Sequence, residues 1–131
     1  MFEDISVLVI DDDPTSVRVL EELVKRINVA EFGSLDSYTV QEYLDSDATP
    51  DVIFLDLEMP QINGYMVLER IQNNPRFANV PVVAYTTHTS HLNDAKRAGF
   101  HSFLSKPLNG RQFPEQLARI LDGEPVWEVS G

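Results

Sequence analysis

The chain has no cysteine, ten lysines and arginines against 21 aspartates and glutamates, and no apolar run approaching the length of a membrane span. Each absence removes a class of function. Without cysteine there are no disulfides, no thiolate nucleophile and no thiolate metal ligand, which suits a reducing cytosol. A formal charge of −11 sets the chain's own field against a phosphate backbone, so nucleic acid is not expected as a direct partner. A spanning helix needs roughly 18 consecutive apolar residues, and a secretory leader needs a basic start followed by an apolar stretch. Neither pattern is present, so no membrane partner and a cytoplasmic location are expected. At 131 residues the chain matches a single domain able to bury a core, and no repeat, linker or low-complexity segment interrupts it.

What is present is a set of four short apolar runs, each stopping on polar residues of a different kind. Val7-Leu8-Val9-Ile10 runs into Asp11-Asp12-Asp13, and Val52-Ile53-Phe54-Leu55 into Asp56. Val82-Val83-Ala84-Tyr85 runs into Thr86-Thr87, and Phe103-Leu104-Ser105 into Lys106-Pro107. Unbroken β-rich runs without alternation fit strands buried on both faces, the signature of a parallel sheet between helix layers. Ligands of such sheets bind just outside the carboxyl ends of the strands, where these polar residues would collect.

Helical patterns fill the intervals. Pro14 suits a first helical position, and Val17, Leu20, Leu23, Val24 and Ile27 recur as one buried face. A weak strand is expected at Val29–Phe32, then a second helix from about Asp36 to Leu44, capped by Ser34 or Asp36. Met59 to Gly64 reads as a loop, followed by a third helix over Tyr65–Gln72 that Asn73-Asn74-Pro75 ends. Ser90 is a candidate cap for a fourth helix through Ala98, with Gly99 just past its end. A fifth helix is expected from Gly110 or Arg111 to Leu121. Five strands and five helices in strict alternation give an α/β doubly wound parallel sheet with right-handed crossovers. Residues 1–121 form the domain, and 122–131 are expected to trail over the surface as a C-terminal tail. Trp127 in that tail is either folded against the body or a docking handle.

The strand ends define a chemistry. Several carboxylates in one crevice repel each other, which raises a pKa or recruits a hard cation such as Mg²⁺ that prefers oxygen ligands. Asp11, Asp12 and Asp56 supply about as many carboxylates as magnesium takes, Lys106 can neutralise a phosphoryl oxygen, and Thr86 adds a hydroxyl donor. Carboxylate nucleophile, metal, lysine and hydroxyl are the parts needed for in-line phosphoryl transfer.

Over roughly Ile5 to Leu121 the chain resembles the receiver domains of two-component response regulators. The resemblance rests on Val7 through Pro14, Asp56-Leu57-Glu58-Met59-Pro60, Asn63-Gly64, Thr86, Ala98-Gly99 and Lys106-Pro107 in the family's order and spacing. It implies a flavodoxin-like sheet of order 2-1-3-4-5 and a phosphoryl-accepting signalling switch, not a turnover enzyme. Asp56 would take a phosphoryl group from a histidine kinase or phosphotransfer protein. Asp12 and Asp56 would bind Mg²⁺ directly with the backbone carbonyl of Glu58, and Asp11 through water. Lys106 would hold a phosphoryl oxygen, Thr86 would swing toward the group, and Phe103, at the aromatic switch position, would turn inward with it. The face made by the fourth helix, fifth strand and fifth helix would then be read by a downstream target protein. A stand-alone chain of this kind would act as a monomer or a weak phosphorylation-dependent dimer.

Departures from the common family pattern carry expectations of their own. Thr87 stands where a smaller residue is usual, and would touch the phosphoryl group. Glu58 and His88 occupy positions where variation tunes phosphoryl lifetime. The segment from Phe32 to Ser37 lacks the usual Gly-Glu-Ala lead into the second helix.

Two other readings compete. Asp11-Asp12-Asp13-Pro14-Thr15 is also similar to the signature of haloacid-dehalogenase-type phosphatases, with Asp11 as nucleophile and Asp13 as general acid. That family needs an acidic pair after the lysine and leaves Asp56 unexplained. A non-phosphorylated interaction module would be expected to lack an acceptor, an acid pair or a lysine, and none is missing. His88 and His91 have no third nitrogen or sulfur ligand nearby in sequence, which argues against a zinc site, and His101 reads as a surface or turn residue.

Overall fold

The computed structural model describes residues 1–128. In chain order the elements are β1 (Ser6–Ile10), α1 (Pro14–Arg26), β2 (Glu31–Leu35), α2 (Val40–Leu44), β3 (Val52–Asp56), α3 (Gly64–Gln72), β4 (Val82–Thr86), α4 (Leu92–Ala98), β5 (Ser102–Ser105), α5 (Phe113–Leu121) and β6 (Trp127–Glu128). Short 3-10 turns lie at Pro75–Phe77 and Thr89–His91. The strands form one sheet of order β2-β1-β3-β4-β5-β6, every pair parallel. The expected doubly wound fold is present, with one strand more than the sequence reading counted.

Every residue of β3 and β4 is buried, which is why their sequences show no alternation. One face of the sheet packs Val9, Phe54, Val83 and Leu104 against α1 and α5 through Leu20, Val24, Phe113 and Leu117. The other packs Ile10, Ile53, Leu55 and Phe103 against α2, α3 and α4 through Val40, Val67, Leu68 and Ala95. Burying one such aliphatic or aromatic side chain contributes roughly 1.5–3 kcal/mol, so the two central strands anchor the molecule. β2 lies at the edge and stays partly exposed, which is why its sequence signal is weak.

α3 begins at Gly64, one residue before the expected Tyr65, and five features differ from expectation by more than that. β2 begins at Glu31, where Glu31, not Val29, pairs with Ser6 of β1. α2 is only five residues long because the turn before it is closed by Asp36, whose carboxylate accepts the N–H groups of Tyr38 and Thr39. Ser90 does not cap α4; it lies inside the 3-10 turn, and His91 occupies the cap position without a side-chain bond to the helix backbone. Gly99 does follow α4, at φ 101°, where a side chain would be strained. α5 starts at Phe113 because the Asn109 side chain draws the N–H groups of Arg111 and Gln112 into a preceding turn.

The fifth difference is the segment from Asp122 to Glu128, which does not trail away. Val126 is buried, its N–H donates to Ser102 Oγ (2.9 Å) and its carbonyl accepts from Phe103 N (2.8 Å). β6 then pairs Trp127 with Phe103 and Glu128 with Leu104. Trp127 packs on the α4 side beside Lys96, whose Nζ lies 5.2 Å from the ring centroid. Glu128 accepts from Gln116 (2.7 Å) and Arg119 (3.1 Å) of α5. Residues 129–131 of the expected tail lie outside the described residues.

Candidate functional site

The carboxyl ends of β1, β3, β4 and β5 bring Asp11, Asp56, Thr86 and Lys106 to one end of the sheet. Asp11 continues β1, its N–H held by Leu35 O at 2.9 Å, and Lys106 continues β5, its N–H held by Thr86 O at 2.8 Å. Asp56 closes β3. Behind it, the start of α3 presses against the strand end: Gly64 N donates to Leu57 O (3.1 Å), and a Cβ on Gly64 would sit 2.5 Å from Asp56 O. Only glycine fits there, which explains Asn63-Gly64 locally, with Asn63 capping α3 through Met66 N (3.0 Å).

Three groups form the floor of the site. Lys106 Nζ lies 2.8 Å from Asp11 Oδ2 and 3.7 Å from Asp56 Oδ1, with all three side chains largely buried. The Tyr85 ring packs under the ammonium, 4.4 Å from Nζ to centroid, and its hydroxyl donates to Ser16 O at 3.3 Å. Burial pushes the Asp56 carboxyl up to about 6; Lys106 opposes that shift, Asp11 adds to it, and the Glu58 N–H at 3.2 Å opposes it. The Tyr85 hydroxyl is pushed up by burial and then by the neighbouring carboxylates. Tyr85 read in the sequence only as a strand residue; nothing local marked it as the lysine's support.

Around this floor stands a rim of more exposed groups, joined to it through the buried Thr86. Thr86 Oγ1 donates to Glu58 Oε1 (3.3 Å) and accepts from His88 N (3.1 Å). Glu58 also pairs with His88 Nδ1 and lies 3.9 Å from His91 Nε2, while His91 Nδ1 meets the Tyr65 hydroxyl at 3.2 Å. Thr87 is exposed and bonds to His88 Nδ1 at 3.2 Å. Asp12 faces the other way: its two carboxylate oxygens accept the N–H and the hydroxyl of Ser37, each at 2.6 Å. Asp13 caps α1 through Thr15 N and the Ser16 hydroxyl, and the latter bond first of all holds its carboxyl below the usual carboxylate range. Phe103 is not part of the polar cluster; it is fully buried in the core and lies opposite Trp127.

Among the described residues no three His, Cys, Asp or Glu side chains converge closely enough to hold a metal ion. The reason is visible in the hydrogen bonds: Asp12 is engaged by Ser37 and the Glu58 carboxylate by Thr86 and the histidines. The donor chemistry nonetheless fits a hard divalent cation. Asp11 and Asp56 place two carboxylates within reach of one lysine, Asp56 is destabilised as an anion by burial, and Asp12 adjoins them in sequence. His88 and His91, with ring centroids 6.4 Å apart, share a glutamate and not a third nitrogen ligand. His101 is half-buried in a bend, with Nδ1 2.8 Å from Ser102 Oγ.

The model of the response regulator receiver domain family matches residues 7–118. Protein PilG of Pseudomonas aeruginosa is 29% identical, across 98% of this chain and 96% of its own length. Chemotaxis protein CheY1 of Helicobacter pylori is 26% identical, across 87% of this chain and 94% of its own. The solved structure of the chemotaxis response regulator CheY4 of Vibrio cholerae superposes with a TM-score of 0.76 at 21% identity, covering 89% of this chain and 98% of that one. At that identity the likeness speaks for the fold. The phosphatase reading gains nothing: Asp13, its general acid, caps a helix, and Asp56, which it leaves idle, is at the centre of the site.

Proposed function

This chain belongs to the response-regulator receiver family, and we propose that within it Asp56 is the residue that accepts a phosphoryl group. One observation carries this reading: Asp56 is a buried carboxylate at a strand end, 3.7 Å from the Lys106 ammonium and raised to about 6. At neutral pH it is ionised yet poorly solvated, as an oxygen nucleophile should be. One Asp56 oxygen attacks phosphorus in line. A P–O bond forms, the P–N bond of a phosphohistidine donor or the P–O bond of acetyl phosphate breaks, and the leaving group departs with the bonding pair.

Lys106 is placed to release Asp11 and neutralise an equatorial phosphoryl oxygen, since its ammonium already bridges the two carboxylates. The Thr86 hydroxyl, now turned to Glu58, is the second donor, and Thr87 lies beside it at the opening. Asp11, Asp12, Asp56 and the Glu58 backbone carbonyl are the groups that would hold Mg²⁺, which when bound offsets phosphoryl charge. The chain acts as a switch; its partners are a histidine kinase or phosphotransfer protein on one side and a target protein on the other. Phe103 and the face of α4, β5 and α5 are the proposed route to that target.

The test is intact mass after incubation with acetyl phosphate and Mg²⁺. A gain of one phosphoryl group, about 80 Da, is expected for the wild type and not for Asp56→Ala or without Mg²⁺. An adduct that survives Asp56→Ala but is lost in Asp11→Ala would overturn the assignment.

A further inference from the structure

Ser37 lies in the loop between β2 and α2, 25 residues from Asp12, and both of its hydrogen-bond donors go to that one carboxylate. A serine in a tight turn ordinarily bonds within the turn. Here the turn is already closed without it: Asp36 Oδ1 accepts from Tyr38 N (2.9 Å) and Thr39 N (3.0 Å), and Thr39 Oγ1 accepts from Asp36 N (3.0 Å). Ser37 is therefore free to spend its donors on Asp12. Two short bonds to an ionised acceptor are of the strong, charge-assisted kind, and each occupies an oxygen that a cation would need.

We propose that Ser37 competes with the divalent cation for Asp12, so that filling the acidic pocket releases the β2–α2 loop and an empty pocket holds it down. This rests on the reading of Asp12 as a metal ligand given above. Ser37 is a positioning residue: it sets how readily Asp12 turns toward Asp56. The exchange gives the pocket a reporter on the surface, because the same loop carries Tyr38, 76% exposed and next in sequence to Ser37. Metal occupancy is then legible at a place other than the phosphoryl-acceptor face of the molecule.

The experiment is titration of the full chain with Mg²⁺, followed by backbone amide NMR and calorimetry, for wild type, Ser37→Ala, Ser37→Thr and Asp12→Asn. In the wild type the Ser37 and Tyr38 amide resonances should move along the same binding curve as those next to Asp56. Ser37→Ala should bind Mg²⁺ about fivefold more tightly or better, having lost one charge-assisted competitor, and Ser37→Thr, which keeps the hydroxyl, should stay near wild type. The turn closed by Asp36 and Thr39 keeps the variant folded, which the unperturbed amide spectrum elsewhere checks. Equal or weaker Mg²⁺ binding by Ser37→Ala, with Asp12→Asn weakened, overturns the competition and leaves the proposed function standing. Undiminished binding by Asp12→Asn overturns the ligand reading itself, and the competition with it.

Discussion

The floor of the site and its rim are built from similar residues held in opposite ways. On the floor, Asp11, Asp56 and Lys106 are largely buried, and each is fixed by strand backbone on one side and by an ionic partner on the other. On the rim, Glu58, His88 and Thr87 are exposed, and their bonds run to one another and to Thr86. Loss of the lysine would leave two buried carboxylates without their compensating charge. Exposed bonds exchange with water at little cost. The floor is thus suited to chemistry and the rim to timing, and substitutions should separate the two.

The widest separation is expected at Lys106. Lys106→Met should slow phosphoryl uptake from acetyl phosphate by about a hundredfold or more, as loss of a transition-state donor does. The check is the rate of mass gain, and a rate within threefold of wild type would show that the floor does not supply the charge. Next comes Gly64→Ala, whose new methyl would meet Asp56 O and Leu57 Cα at 2.5 and 2.8 Å. Overpacking of this kind costs about 1–3 kcal/mol, visible as a lower urea midpoint; an unchanged midpoint would mean that α3 can retreat from the acceptor strand.

A third effect is smaller and depends on pH. The Asp56 carboxyl sits at about 6 in the folded protein and near its ordinary 3.8 when unfolded. The native state thus binds the proton more tightly, and between those values stability falls as pH rises. In metal-free buffer, Asp56→Asn should melt a few degrees above wild type at pH 7.5, on the order of 1 kcal/mol after allowance for solvent screening. The advantage should shrink as pH drops through 6 and vanish below about 4. Calorimetric scans across that range decide it, and an advantage that grows on acidification would reverse the assigned sign. The least effect belongs to the rim: Glu58→Asn and His88→Ala should each change the phosphoryl lifetime by about twofold, near 0.4 kcal/mol of barrier, with uptake intact. A collapse of uptake in either variant would erase the distinction between floor and rim.

What could be read in the sequence follows the same division. β1, β3 and β4 were legible because burial on both faces leaves unbroken apolar runs, and the residues that end them were legible as a cluster because parallel strands deliver their carboxyl ends together. The features that escaped depend on contacts between distant residues. Ser37 carries no local mark of its bond to Asp12, Tyr85 looks like any strand aromatic, and α2 shrinks to one turn because Asp36 closes the chain ahead of it. β6 leaves no sequence signal for another reason: two residues are too few for a periodic pattern. The buried side of Val126 is set by Ser102 and Phe103, more than twenty residues away.

β6 also makes the protein its own optical instrument. Trp127 is the chain's single tryptophan, and it sits between Lys96 of α4 and the strand that carries Phe103. Excited at the red edge of its absorption, where the chain's four tyrosines do not absorb, its emission comes from one known place, the far border of the sheet. Whatever lifts β6 from β5 moves an indole from a half-dry slot into water, and the spectrum shifts red without any label having been added.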